Sequence, residues 1–284
     1  MLKYQTKEKP LKLFKGLVIK IKSESMKTIL FLTLFFNLLL FGATRATTLL
    51  DVQENNATIK ADSNVQIGMS GFVVHQLAPE RSIITKSIEV VAINKITGEA
   101  TVVFKPFHLF VNNNLPSGSY EAQVGDRVVL AFGYNRGFIV APSETIFYTL
   151  KKAMQGEIVV HPDIFTTFLS HQGHPSPLKD DFTSFCDNIS LGLIFFYIEQ
   201  KLYTVDSHSF KILSTQDAPL AQENTQKPFY SRITEIEANW FGAGSSEMEN
   251  YSRYYFQLLL RYNPKNEKLA EAIRRYEQSG TDTL

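Results

Sequence analysis

Residues 191–198 read Leu-Gly-Leu-Ile-Phe-Phe-Tyr-Ile, without a charged side chain. A strand apolar at both odd and even positions can turn neither face to water, so it must run inside a sheet covered on both sides. The flanking sequence offers the covering layers. Residues 137–141 form a second apolar strand, ended by Pro142, and Ile158-Val159-Val160 a third. Between them Ser143 is a good N-cap, and Ile146, Phe147, Leu150 and Met154 recur at helical spacing until Gly156 stops the helix. Asp163 is expected to cap a short helix with Phe165, Phe168 and Leu169 on one side. Ser176-Pro177 is expected to start another, with Leu178, Phe182, Phe185, Cys186 and Ile189 facing inward. Residues 201–206 and 210–213 read as further strands, and the order is β-α-β-α-α-β-β.

Residues 48–132 show no helical period. Short β-prone segments at 57–61, 67–75, 86–94, 100–105 and 127–132 alternate with turns such as Asn55-Asn56, Lys95-Ile96-Thr97-Gly98 and Val124-Gly125-Asp126, and with a loop around 112–118. This pattern predicts a small antiparallel barrel or sandwich. Past a polar loop at 214–228, residues 229–240 read as one more strand, with Trp240-Phe241 buried ahead of a turn. Residues 245–262 form an aromatic helix with a docking stripe of Met248, Tyr251, Tyr255, Leu258, Leu259 and Tyr262, broken by Pro264. A charged helix at 266–278 and a frayed end follow. The fold class is α+β: a leader (1–46), an all-β part (47–132), an α/β part (133–228), a strand and aromatic helix completing the domain (229–262), and a charged helix with tail (263–284).

The leader follows from Met26-Lys27, an almost unbroken apolar run over 29–41, and a small-residue exit at Gly42-Ala43-Thr44-Arg45-Ala46. That is the pattern of a secretory signal peptide, and the run is shorter than the ~20 residues that span a bilayer. Cleavage after about Ala46 is expected, placing the remainder in the periplasm or on the cell surface without a stable membrane span. The Lys-rich residues 1–25 fit either a long basic n-region or a start placed upstream of Met26; the second is preferred. The net charge of +1 includes these lysines, so the exported part is mildly acidic and nucleic acid is not an expected partner. The single cysteine, Cys186, cannot form an internal disulfide, and the 22 Phe and 12 Tyr point to a core held by aromatic packing.

No residue set spells out a reaction. His171 and His174 sit in a Gly/Pro loop without further ligands at metal-binding spacing. His161-Pro162-Asp163 reads as a strand end followed by a helix cap, and Cys186 as a small apolar residue on the inner face of a helix. No cofactor, metal or catalytic role is expected. Catalysis centred on His161, Asp163 and Cys186 is the weakest of three readings.

Five stretches in order carry a resemblance. They are Ile67-Gly68-Met69-Ser70-Gly71, Val124-Gly125-Asp126-Arg127-Val128, Val160-His161-Pro162-Asp163-Ile164-Phe165, Phe185-Cys186-Asp187 with Gly192-Leu193-Ile194, and Pro228-Phe229-Tyr230-Ser231-Arg232 followed by Trp240-Phe241. Together they resemble the N-terminal domain family of bacterial plasminogen-binding protein A, over about residues 50–262. The resemblance implies an exported, non-enzymatic envelope or surface protein with host plasminogen as partner. Kringle modules of such a partner hold a Lys side chain in an aromatic trough, with carboxylates at its ammonium. The sequence ends Asp282-Thr283-Leu284, so capture through a C-terminal lysine is not expected. Internal cations are the substitute: Lys265, Lys268, Arg274 and Arg275, interleaved with Glu267, Glu271 and Glu277. The rival reading is a periplasmic structural or assembly protein of the envelope that does not bind plasminogen.

Overall fold

The computed structural model describes residues 44–107, 120–154, 156–222 and 224–279. Most of the leader, the 112–118 loop and the end of the tail lie outside these residues.

Strands β1 (Arg45–Val52), β2 (Asn56–Lys60), β3 (Ser70–Ala78), β4 (Arg81–Asn94), β5 (Glu99–Lys105) and β6 (Arg127–Leu130) close into an antiparallel barrel in the order β1-β2-β5-β4-β3-β6. Of barrel and sandwich, the chain forms the barrel. Closure runs through Leu130, which lies opposite Arg45 on one side and Gly71 on the other, and it leaves neither sheet edge open. Leu49, Ile59, Val73, Val90, Val102 and Val128 are buried in the barrel.

The first strand begins inside the stretch read as the leader's exit. Arg45 and Ala46 pair with Leu130 and Val129, and the Arg45 guanidinium meets Asp62 at 2.7 Å. Removal after Ala46 would take both residues out of β1. A small-residue leader exit and a half-exposed strand look alike here, because both tolerate Ala-Thr-Arg-Ala-Thr-Thr.

The second sheet comprises β7 (Arg136–Val140), β8 (Ile158–Val160), β9 (Leu193–Ile198), β10 (Lys201–Asp206) and β11 (Ile212–Asp217), ordered β11-β10-β9-β7-β8. β7 runs parallel to β8 and β9, while β9, β10 and β11 are antiparallel. The apolar run falls on β9 and serves two cores. Leu193, Phe195 and Tyr197 join the barrel interior and helix α1 (Glu144–Ala153) in one cluster. Ile194, Phe196 and Ile198 join a second cluster with α2 (Pro162–Gln172), α3 (Lys179–Ile189), α4 (Tyr251–Tyr262) and α5 (Glu267–Ser279). Truncating a buried phenylalanine such as Phe196 to alanine costs about 3–5 kcal/mol in a core of this kind.

Several local expectations give way to competing hydrogen bonds. α2 begins two residues earlier than an Asp163 cap would allow. Pro162, which has no N–H to satisfy, takes the first turn, and His161 Nδ1 accepts from the Asp163 N–H at 3.3 Å. α3 begins at Lys179, not at Ser176-Pro177. Asp181 accepts from the Leu178 N–H at 2.7 Å, while the Ser176 hydroxyl donates to the Ser246 carbonyl at 2.6 Å. Residues 229–240 form no strand. Their polar groups bond to other elements: Ser231 Oγ and the Arg232 N–H both donate to Asp163 Oδ1 at 2.9 Å, and the Asn239 N–H donates to the Gly173 carbonyl at 3.0 Å. Trp240 and Phe241 are not buried but 96% and 84% exposed. α4 begins at Tyr251 under an Asn250 cap, later than the expected 245. β11 reaches Asp217, into the stretch read as loop.

One buried side chain joins the two sheets. Asp206, at the end of β10, is fully buried. Its Oδ2 accepts from the Ser70 N–H (3.0 Å), the Ser70 hydroxyl (2.6 Å) and the Tyr134 hydroxyl (2.6 Å); its Oδ1 accepts from the backbone N–H groups of His208 (3.0 Å) and Ser209 (2.7 Å). Ser209 Oγ adds a bond to the Gly68 carbonyl at 2.6 Å. Beside this seam the chain crosses itself at Gly133 and Gly192, where a Cβ on Gly192 would come within 2.6 Å of the Gly133 carbonyl carbon.

His208 lies in the seam, its Nε2 2.9 Å from Asp187 Oδ1. Burial alone lowers its pKa, but hydrogen bonding to Asp187 and the charges of Asp206 and Asp187 outweigh this and hold it above the ordinary 6.5. A raised folded-state pKa stabilises fully below the unfolded value and ceases to do so as pH rises through the folded value. The stability difference between the wild type and His208→Gln, from urea unfolding at a series of pH values, is therefore expected to be largest below about pH 6.5 and to shrink above it.

Candidate functional site

α5 presents the cations expected to meet a partner. Asn266 Oδ1 caps it by accepting from the Leu269 N–H at 3.2 Å, and Leu269, Ala272 and Ile273 bury its inner face in the second core. Lys268, Glu271, Arg274 and Arg275 are left exposed. At about 100° per residue Lys268 and Arg275 share a line along the helix, whereas Arg274 is rotated away from it.

The structure brings only part of the expected set together. Lys265 and Lys268 line one groove of about 790 Å³, with Glu267 beside them and the exposed Ile67 and Val91 of the barrel opposite. Neither lysine makes an ion pair among the described residues. Lys211 enters the same groove, but its Nζ donates to the Tyr262 carbonyl at 2.6 Å. Arg275 is committed elsewhere: its guanidinium sits 3.2 Å from Glu199, which also accepts from the Tyr276 hydroxyl. Glu199 and Gln200 form the two-residue β9–β10 turn, both at positive φ (45° and 61°), a conformation glycine usually supplies. Arg275 therefore holds a turn, and Arg274 lines no part of the lysine groove.

The other candidates act within the fold. His174 Nδ1 lies 2.9 Å from Asp181 Oδ1, tying the loop after α2 to α3, and His171 is exposed. Among the described residues no group of three His, Cys, Asp or Glu side chains could hold a metal ion. His161 packs against Phe147 on the barrel side of the sheet, whereas Cys186 belongs to the cluster on the other face. Burial, aided by the charges of Asp187 and Asp206, pushes the Cys186 thiol well above its ordinary range, the reverse of what a nucleophile needs.

One constellation escaped the sequence reading. His208 Nδ1 lies 3.0 Å from Ser207 Oγ and 3.4 Å from Ser70 Oγ, with Asp187 across the ring. The hydroxyl protons are committed, Ser207 to the Leu191 carbonyl at 2.7 Å and Ser70 to Asp206 at 2.6 Å. A serine nucleophile has to pass its proton to the histidine, so the arrangement is a junction rather than an activated hydroxyl. The signal within reach was Asp206-Ser207-His208-Ser209, an acidic turn opener whose side chain bonds the next backbone N–H groups. Its partners at 70, 134 and 187 lie too far along the chain to be read as one set.

The chain thus joins a barrel to a doubly covered mixed sheet, with a lysine groove beside the terminal helix. The chain belongs to the family described as plasminogen-binding protein pgbA N-terminal, whose model matches residues 44–259. It is 25% identical over 209 residues to plasminogen-binding protein PgbA of Helicobacter pylori strain J99, covering 72% of this chain and 45% of the relative. To the protein of that name in strain 26695 it is 26% identical over 205 residues, covering 71% and 44%. The chain thus spans less than half the length of the curated relatives it matches. No solved structure matches it. The described residues contain no helix long and apolar enough to cross a membrane.

Native Cys186 is expected to resist a soluble thiol reagent and to label stoichiometrically only once urea unfolds the protein; fast native labelling would return the thiol to the list of reactive groups.

Proposed function

We propose that the protein is an exported, non-enzymatic component of the bacterial envelope or surface that captures host plasminogen through internal lysines. Membership of the plasminogen-binding family over 44–259 carries this reading. The groove gives it a physical form: Lys265 and Lys268 project ammonium groups beside the Glu267 carboxylate, the paired charges a kringle's lysine site recognises. Both lysines stand beyond residue 259, Lys265 just before the terminal helix and Lys268 on it, so this mode of capture rests on residues outside the matched stretch. The leader, with its basic start, apolar middle and small exit, supports export.

A second reading, an envelope structural or assembly domain, is favoured by a different observation. The alignments cover 45% and 44% of the relatives, leaving more than half of each protein in which a plasminogen site could reside.

Surface plasmon resonance of plasminogen over the immobilised protein separates the two. Capture through the groove predicts saturable binding that a lysine analogue abolishes and that Lys265→Ala/Lys268→Ala weakens about tenfold or more, with Arg274→Ala near wild type. Binding that the analogue abolishes but the double variant retains would move the site elsewhere. Absence of saturable binding at micromolar plasminogen would favour the envelope domain.

A further inference from the structure

A cavity of about 200 Å³ lies between the barrel wall and the seam. Its walls are apolar: Phe72, Ile84, Ile88, Phe107 and Phe132, with the Phe72 and Phe132 rings edge to face at 5.3 Å. Polar groups also line it. Glu89, itself buried, is paired with Lys105, and Asp187 faces His208. With Asp206 behind His208, three carboxylates surround two cations.

One atom in this lining is only partly matched. Asp187 Oδ1 is buried, and its partner is the His208 imidazole at 2.9 Å, which leaves the oxygen's second lone pair without a donor. Buried acceptors are normally satisfied, and this carboxylate lines an apolar cavity with room for a small molecule. Pockets at the junction of two structural units, with apolar walls and a few convergent polar groups, are where small ligands bind.

We propose that this cavity binds a small primary amine with an apolar body, an alkyl- or arylalkylammonium, whose head donates to Asp187 Oδ1 while its hydrocarbon lies among Phe72, Phe107 and Phe132. The ammonium brings donors and no acceptor, which is what the spare lone pair requires. Ring faces attract a cation as well as cover its hydrocarbon. A carboxylate head would meet Asp187 and Glu89 at close range. His208, in the same wall, keeps its proton above the ordinary imidazole range in spite of burial, which accords with a site whose field favours positive charge.

The test is calorimetric titration of the purified protein with hexylamine and with phenethylamine, using hexanoate and hexanol as controls for the head group. Saturable one-to-one binding of the amines, much weaker binding of hexanol and none of hexanoate is expected. Asp187→Asn, nearly isosteric, should weaken amine binding about tenfold or more, the scale of one hydrogen bond between charged groups. Ile84→Trp, which fills the cavity from a half-buried wall position, should abolish it. Circular dichroism melts confirm that each variant is folded. Failure of the amines to saturate, equal binding of hexanoate, or amine binding unchanged in both variants would overturn the proposal.

Discussion

A carboxylate with no exposure to solvent, Asp206, receives five hydrogen bonds from three separate stretches of the chain, and the relation between the two sheets depends on it. Ser70 opens barrel strand β3, Tyr134 stands on the link between barrel and sheet, and Ser209 follows β10. A buried carboxylate is costly unless every lone pair is used, and here the donors are fixed by backbone and by two hydroxyls. The same geometry commits the Ser70 proton and places His208 beside Asp187 in the lining of the cavity.

How far the sequence revealed this fold depended on how local each cause was. The apolar run at 191–198 announced a doubly covered strand because its signal lies in successive residues, and the structure assigns alternate side chains of β9 to two different cores. The Ser143 cap and the turn-separated strands of the barrel were legible for the same reason. What the sequence did not show was set by distant partners. Residues 229–240 have strand-like composition, yet Asp163 takes their backbone and side-chain donors before a sheet edge can. Trp240 and Phe241 read as core by type, but Gly242 at φ 124° and the Asn239 contacts to the end of α2 turn the segment outward.

The candidate site was legible to a similar degree. The charged last helix was read from its spacing, but spacing alone could not tell that Arg275 would be drawn to a strained two-residue turn 76 positions away. Nor could it tell that Lys265 and Lys268 would share a groove with barrel residues Ile67 and Val91. The groove and the cavity both border Glu89, so the proposed lysine site on the terminal-helix side and the proposed amine site on the seam side meet the same barrel strand.

The most direct test of the barrel–sheet junction is urea unfolding of Asp206→Asn, followed by circular dichroism and by amide hydrogen exchange in barrel and sheet separately. Asparagine keeps the shape but turns an NH₂ group toward donors, leaving at least two of them without an acceptor. The account predicts a loss of about 3 kcal/mol or more, with exchange in the barrel and in the sheet no longer protected to the same extent. A loss below about 0.5 kcal/mol, with one coincident transition and unchanged exchange in both parts, would contradict the claim that Asp206 holds the two sheets together.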